Sequence, residues 1–276
     1  VGKGTVLDKP LCPYSKYVEF EKTFYKSQEY KDMGEYWKSQ LMGFDFSNPL
    51  KNKNKKDNSY GNTSVKLSQE LSASMLSFAR KRKTTLFNIF LGSYALAINI
   101  FAKRKDIAIL TPVLNRYKPE FMNSIGVFTN LIPMRLNMEP DLSLNDFIDN
   151  VTKTTISAIK NQFYQYNHII RDFRDSRPEF FFYMDFEDKS LKKNRATEDI
   201  PYAVNIPKFI LDLEVKNLNN IYNISASYKK GYIKDDEVTY ILELLLKIME
   251  MIFVSNDLNY TLNDFTEQLD IGGDSE

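Results

Sequence analysis

The chain has 276 residues, 43% of them hydrophobic and 14% aromatic, enough to bury a substantial core as one large domain or two smaller ones. Its 37 basic and 36 acidic side chains nearly cancel, which removes the electrostatic case for nucleic acid or an anionic membrane surface as partner. One cysteine, Cys12, excludes an internal disulfide and a cysteine-based metal site, and one histidine, His168, excludes any site that needs two.

A lone cysteine fits a reducing cytoplasm, and a cytoplasmic location is the expectation. No secretory signal is read ahead of the body of the chain, and no uncharged apolar run is long enough to span a bilayer. The chain opens on Val1 rather than Met, as a piece of something longer would.

Residues 1–12 read as irregular. Residues 14–42 carry two helices with a break near Ser27, Tyr17, Phe20 and Phe24 falling on one face. Together 1–42 form a helical lead-in to a polar, lysine-rich loop over 43–62, expected to be solvated. A short strand over 64–67 leads to a helix over 68–81 with Leu71, Met75, Phe78 and Ala79 inward. Thr84 or Thr85 then caps "LFNIFLGSYALAINIFAKR", a helix apolar on nearly all sides and so expected inside the fold. "DIAILTPV", 106–113, reads as a strand covered on both faces.

"IGVFTNLIPMR", 125–135, reads as another buried strand on Val127, Phe128, Leu131, Ile132 and Met134. Gly126, Asn130, Pro133 and Arg135 each cost such a strand something. Pro133 points to an edge, a bulge or a crossover, because it cannot donate to a central ladder. Arg135 needs a carboxylate if buried, and no acid nearby in sequence is obviously placed; the plain alternatives are solvent at the strand end or a pair with Glu139.

Ser143 and Asp146 make a capping box for a long helix with Leu144, Phe147, Ile148 and Val151 on its buried stripe. Strand candidates follow at 179–188, at "FILDLEVKN" and at "IYNISASY", the last two alternating cleanly. A final amphipathic helix starts at Asp235 or Asp236 and runs to about Val254. Mixed helix and strand without a convincing linker gives an α/β or α+β class: a two-layer arrangement of a mixed sheet with helices packed on it. The fold is expected to span 1–265, with 266–276 a flexible tail. No phosphate-binding glycine loop, metal-ligand cluster or nucleophile elbow is present in the sequence.

Several of these stretches resemble the condensation domains of nonribosomal peptide synthetases. "IGVFTNLIPMR" resembles the fifth family signature, (I/V)GxFVNTxxxR, with Ile125, Gly126, Phe128, Asn130 and Arg135 matching; Thr129 and Leu131 replace its Val and Thr. "DIAILTPVLNRYKPEFMNSIG" resembles the stretch DxxxGTPxxxR…E…IG through Thr111, Pro112 and Arg116, with Leu110 in place of Gly. "PYSKYVEFE" resembles the fourth signature, YxDYAxW, and is followed by Tyr36–Trp37. "NQFYQYNHII" keeps Asn161 and Gln162 of the sixth, and "RDSRPEF" is similar to a shortened seventh. The order and spacing of these matches extend over nearly the whole chain.

The resemblance implies the chloramphenicol-acetyltransferase-like acyltransferase fold, two similar halves with a tunnel between them. It also implies amide formation between aminoacyl or peptidyl groups tethered to carrier proteins, in the biosynthesis of secondary metabolites such as antibiotics or siderophores. The family's HHxxxDG signature precedes the fourth signature and is absent here, so the chain resembles a C-terminal half, with no catalytic residue of its own and no condensation activity expected alone. Implied partners are the N-terminal half, donor and acceptor peptidyl carrier proteins and an adjacent adenylation domain. No cofactor or metal is bound directly; phosphopantetheine belongs to the carriers.

By the same resemblance Arg135 clamps the Asp of HHxxxDG, and Gly126, Phe128 and Asn130 support the tunnel. Arg116 and Arg177 fall where a cation could meet a pantetheine phosphate, although a surface ion pair explains either one as simply. His168 acquires no role and reads as a packed imidazole. "GGDS" with Ser275 matches a carrier attachment motif but has no helix after it, so it reads as a polar terminus. Two alternatives stand. One is half of an epimerisation domain, whose ending "YTLNDF" at 260–265 resembles; the other is a non-catalytic module that binds carriers.

Overall fold

A computed structural model describes residues 12–48, 50, 54, 56–174, 176–185, 206–254 and 260–271. The chain divides into two compact units, one drawn from 1–43, 112–132 and 159–176 and the other from 44–111, 133–158 and 177–276.

In the first unit α1 (Tyr14–Phe24) and α2 (Gln28–Leu41) are separated at Ser27, whose Oγ accepts the Tyr30 N–H at 3.1 Å and so starts the second helix. α1 presents Tyr17 to a small apolar core with Phe121 and Phe128, and Tyr14, Phe20 and Cys12 pack around it. Phe121 arrives on a short 3₁₀ turn, Pro119–Phe121. α2 buries Tyr30, Met33, Trp37 and Leu41, positions spaced as one helical face. The indole N–H of Trp37 donates to Asn161 O at 2.9 Å, which fixes the chain just before a short helix, Tyr166–Asp172.

The second unit is organised on a mixed six-stranded sheet, of which residues 112–113 and 130–132 fall in the first unit. Its strands are β1 (Tyr60–Lys66), β2 (Asp106–Val113), β3 (Asn130–Asn137), β4 (Phe180–Asp185), β5 (Leu211–Leu218) and β6 (Ile221–Lys229), in the order β1-β6-β5-β4-β2-β3. β1 and β5 run antiparallel to β6, while β4 runs parallel to both β2 and β5. The β5–β6 hairpin turns on Asn219 and Asn220, both at positive φ, the pair of left-handed residues that a tight hairpin of the right twist requires. Leu211, Leu213 and Val215 alternate inward from β5 and Tyr222, Ile224, Ala226 and Tyr228 from β6, as their spacing in the sequence predicts. The packing is tight enough that a Cβ on Gly61 would overlap the ring of Tyr228, its partner across β1 and β6.

Three helices cover this sheet. α3 (Gln69–Arg82) is capped by Ser68 and α4 (Leu86–Ala102) by Thr85, each hydroxyl accepting an N–H three residues on. α4 is buried from Asn88 through Ile98. Its Tyr94 hydroxyl donates to Leu211 O, and Phe90 meets Tyr222 edge-on. The helix Asp235–Phe253 buries Val238, Ile241, Leu245, Ile248, Met249 and Ile252 and packs on α3 and α4. The long helix Leu144–Lys160 starts at the Ser143–Asp146 box, with Ser143 Oγ accepting the Asp146 N–H at 3.1 Å.

Three expectations change. The strand in "IGVFTNLIPMR" begins only at Asn130, and Ile125 and Val127 are each 79% exposed. Phe128 leaves the alternation to join the aromatic core, so the residues around it cannot lie in a ladder. β1 starts at Tyr60 rather than 64, because every residue to Lys66 has a partner on β6. The tail expected from 266 is helical to Ile271: Leu262, Phe265 and Leu269 are buried at i, i+3, i+7 in the helix Leu262–Ile271. The expectations for 1–11, for 186–188 and for Ser275 lie outside the described residues. Among the described residues no single helix is long and apolar enough to cross a membrane.

Candidate functional site

The residues matched to the family's signatures gather in two places, one in each unit. In the first unit the centre is Asn130. Its side chain is buried, and both amide hydrogens are used, donating to Gln162 O at 2.8 Å and Tyr164 O at 2.9 Å. Its Oδ1 accepts the Tyr166 N–H at 3.0 Å. One amide thus satisfies three backbone groups of the 162–166 segment and joins the fifth-signature stretch to the sixth. The amide spends its donors on the chain rather than offering them to a tunnel.

Gly126 has a steric reason. A Cβ there would overlap Tyr14 Cδ2, so only glycine lets the backbone pass the ring. Tyr14 also donates from its hydroxyl to Val127 O at 2.7 Å, and its ring meets Phe128 edge-on at 5.3 Å. Phe128 packs on Tyr17 at 4.4 Å and carries the Arg116 guanidinium 4.1 Å from its ring centroid. Arg116 donates from Nη1 to Phe121 O and to Ser124 O, the latter at 3.0 Å. Its guanidinium therefore caps the loop between the two motifs, a task the sequence did not suggest.

His168 sits among tyrosines. Tyr30 Oη lies 2.5 Å from its Nδ1 and accepts the Gln165 N–H at 3.2 Å, and the rings of Tyr25, Tyr30 and Tyr164 surround the imidazole edge-on or tilted. The phenol and the imidazole thus share one hydrogen bond, whose donor is set by the imidazole tautomer. Burial and then the Arg171 cation push its pKa below 6.5, against a smaller opposing pull from Asp172. Burial raises the Tyr30 phenol to about 12. The geometry is that of a packed imidazole.

In the second unit Arg135, on β3, finds its carboxylate on the neighbouring strand β2. Asp106 accepts from Nε at 3.0 and 3.2 Å and from Nη2 at 2.8 Å, a two-pronged ion pair about three-quarters buried on both sides. Glu139, the acid nearest in sequence, instead meets Lys105 at 2.7 Å. Asp106 opens the stretch "DIAILTPV", but nothing in that stretch shows which strand lies beside it. Pro133 lies on β3, an edge strand of the sheet, the position in which a proline is tolerated. Arg177 is exposed and 3.6 Å from Glu179, in a shallow hollow whose wall also includes Phe44, Arg104 and Asp106.

The chemistry within reach of these groups is positional. Among the described residues there is no grouping of three metal-ligating side chains. The site holds backbone segments in place through amide, guanidinium and ring contacts, and its one imidazole is occupied by a phenol.

The chain is similar to known proteins. Bacitracin synthase 1 of Bacillus licheniformis is 26% identical over 265 residues, 91% of this chain but 5% of that protein. The condensation domain from the monacolin K polyketide synthase MokA superposes with a TM-score of 0.76 at 15% identity, over 94% of this chain and 64% of that one. The epimerization domain from the third module of tyrocidine synthetase B superposes at 0.71 with 18% identity, over 91% and 62%. The chain therefore spans somewhat under two thirds of those solved domains and a small fraction of the synthase. The structural likenesses establish the chloramphenicol-acetyltransferase-like fold. Residues 2–264 match the family model described as Condensation domain, and the chain belongs to that family.

Proposed function

We propose that this chain is the second half of a nonribosomal peptide synthetase condensation domain, which joins carrier-tethered aminoacyl or peptidyl thioesters through an amide bond. One observation carries the reading. The family match runs through residues 2–264, yet the superposition that takes in 94% of this chain covers only 64% of a solved condensation domain, and the sequence has one histidine and no HHxxxDG. The exposed apolar side chains of Leu114, Met122, Ile125 and Val127 in the first unit support it, since so many within so short a stretch are more than a solvated loop carries.

On this reading the N-terminal half supplies the histidine that orients the attacking amine, and carrier proteins deliver both acyl groups on phosphopantetheine. This half contributes form. Asn130 holds the 162–166 segment, Gly126 and Phe128 seat the loop before β3, and the Arg135–Asp106 pair ties two strands together. A framework of this kind acts through proximity and orientation of the reactants. Arg177, exposed beside Glu179, is free to reorient toward a pantetheine phosphate, whereas Arg116 is committed to Phe121 O and Ser124 O.

The test supplies the purified chain with loaded donor and acceptor carriers, alone and together with a separately made upstream half bearing HHxxxDG, and follows the acceptor by mass spectrometry. Amide product only in the mixture is the expected result. Product from the chain alone would overturn the half-domain assignment. Failure with a demonstrably folded upstream half, or inversion at the donor α-carbon in place of amide formation, would replace condensation by a carrier-binding or an epimerising role.

A further inference from the structure

Arg116 is a cation without a counter-charge. It is half-buried, and its Nη1 is spent on the chain, donating to Phe121 O and to Ser124 O. Its Cζ lies 4.1 Å from the centroid of the Phe128 ring. Among the described residues no carboxylate pairs with it, Glu120, the acid nearest along the chain, included. Nε and Nη2 make no hydrogen bond among the described residues, and neither is sealed from solvent. These two nitrogens form the edge of a guanidinium that meets a carboxylate in two parallel bonds. Arg135 gives that same edge to Asp106. In Arg116 it is open.

The chain around this guanidinium is apolar and uncovered. Leu114, Met122, Ile125 and Val127 are each more than half exposed. Ser124 and Phe128 are buried, so the chain between them turns Ile125 and Val127 outward. The loop is held in that form. Tyr14 Oη donates to Val127 O at 2.7 Å, and Arg116 itself ties residues 121 and 124 to position 116. Two cations, Arg116 and Lys118, stand against one acid, Glu120, in residues 112–132, which leaves the segment positive. A surface that covers it must therefore bring apolar side chains and a carboxylate together.

The size of the missing surface points to its owner. The superposition that takes in 94% of this chain leaves 64% of a solved condensation domain covered, so a further subdomain's worth of that fold has no counterpart here. We propose that the upstream half seats on residues 114–127, packing apolar side chains against Leu114, Met122, Ile125 and Val127 and setting one Asp or Glu against Nε and Nη2 of Arg116. The assignment rests on the half-domain reading and adds to it the chemistry of the join. The guanidinium with an edge to give across that join is Arg116, since Asp106 already occupies the edge of Arg135.

The test titrates the separately made upstream half into the full isotope-labelled chain and reads wild type first by NMR. The Arg116 Nε–H signal, identified by its loss in Arg116→Gln, should move, and its exchange with water should slow about tenfold or more. The methyl signals of Ile125 and Val127 should shift with it. Ile125→Ser combined with Val127→Ser alters side chains that already lie in solvent, so the chain alone should keep its circular dichroism while affinity for the upstream half falls about tenfold or more. No binding by wild type would overturn the half-domain reading and the join together. Binding that leaves the Arg116 Nε–H and both sets of methyls unmoved, or a double variant that binds as tightly as wild type, would overturn the join alone. So would a dimer of the chain that the double variant splits and the upstream half does not, since a second copy would then be the occupant. The signals are read on wild type, so the outcome does not depend on a variant folding.

Discussion

Replacing Asn130 with alanine separates a structural clamp from a substrate contact. In the wild type one buried amide makes bonds of 2.8, 2.9 and 3.0 Å to Gln162 O, Tyr164 O and Tyr166 N. A net contribution of roughly 0.5–1.5 kcal/mol for each puts the loss near 2–4 kcal/mol, less if water enters the hole. Because the chain forms two compact units, a single unfolding transition should not be assumed, and the local readout is the informative one. Hydrogen exchange at the amides of residues 162–170 should accelerate by about 30-fold or more for a loss of 2 kcal/mol, while β5 and β6 in the other unit keep their protection. Unchanged exchange across 162–170 in Asn130→Ala would refute the clamp, because the three bonds would then contribute nothing to holding that segment.

The isosteric variant sharpens the point. Asn130→Asp keeps an acceptor for the Tyr166 N–H but sets a carboxylate against two carbonyl oxygens, so the charged form is disfavoured and the folded pKa rises above the unfolded 3.9 or so. A raised pKa means the folded state binds the extra proton, so this variant should gain stability as pH falls and lose it as pH rises through the folded value. Wild type has no titrating group at that position.

Asp106→Ala should cost roughly 1–3 kcal/mol in urea unfolding, because the three-quarters-buried Arg135 would lose its two-pronged carboxylate contact, whereas Glu139→Ala should leave the midpoint where it was. Gly126→Ala should cost roughly 1–3 kcal/mol, because the new methyl meets the Tyr14 ring and either the ring or its 2.7 Å bond to Val127 O must give; Tyr14→Ala in the same background should recover part of the loss. The folded His168 pKa lies below 6.5, so the unfolded chain binds its proton first on acidification, and the first unit should lose stability as pH falls from about 6.5 through the folded value. His168→Gln should flatten that fall, and the single imidazole makes the NMR titration unambiguous; a native pKa at or above 6.5 would sink the idea.

What can be read from the chain and what cannot divides along sequence separation. The alternation in β5 and β6 is legible because the two strands are joined by a two-residue turn and each residue's partner is close by in the chain. The caps at Ser68, Thr85 and Ser143 are legible for the same reason, since each bond closes within three residues. The signature spacing locates Gly126, Phe128, Asn130 and Arg135 but not what they touch. Phe128 looks the same in sequence whether it faces a sheet or joins Tyr17 and Phe121, and the sheet alternative puts Ile125 and Val127 indoors. The helix to Ile271 runs past the point where the family's ending suggests the fold should stop, although Leu262, Phe265 and Leu269 have helical spacing.

The partners of the polar residues are the hardest to see, and the reason is geometric. Asp106 and Arg135 lie 29 residues apart and meet only because β2 and β3 are neighbours in the sheet, a fact contained in neither strand's own pattern. Asn130 serves backbone atoms 32 to 36 residues away, and backbone atoms leave no mark in a sequence at all. The same holds for Arg116, whose acceptors are two carbonyl oxygens. Asn130 and Arg116, which the resemblance would turn toward a tunnel and a pantetheine phosphate, are thus found holding the chain itself. A signature repeated across a family is as well explained by a loop that must be held as by a group that must react. The Asn130 variants distinguish the two, because a clamp moves hydrogen exchange in the absence of any substrate.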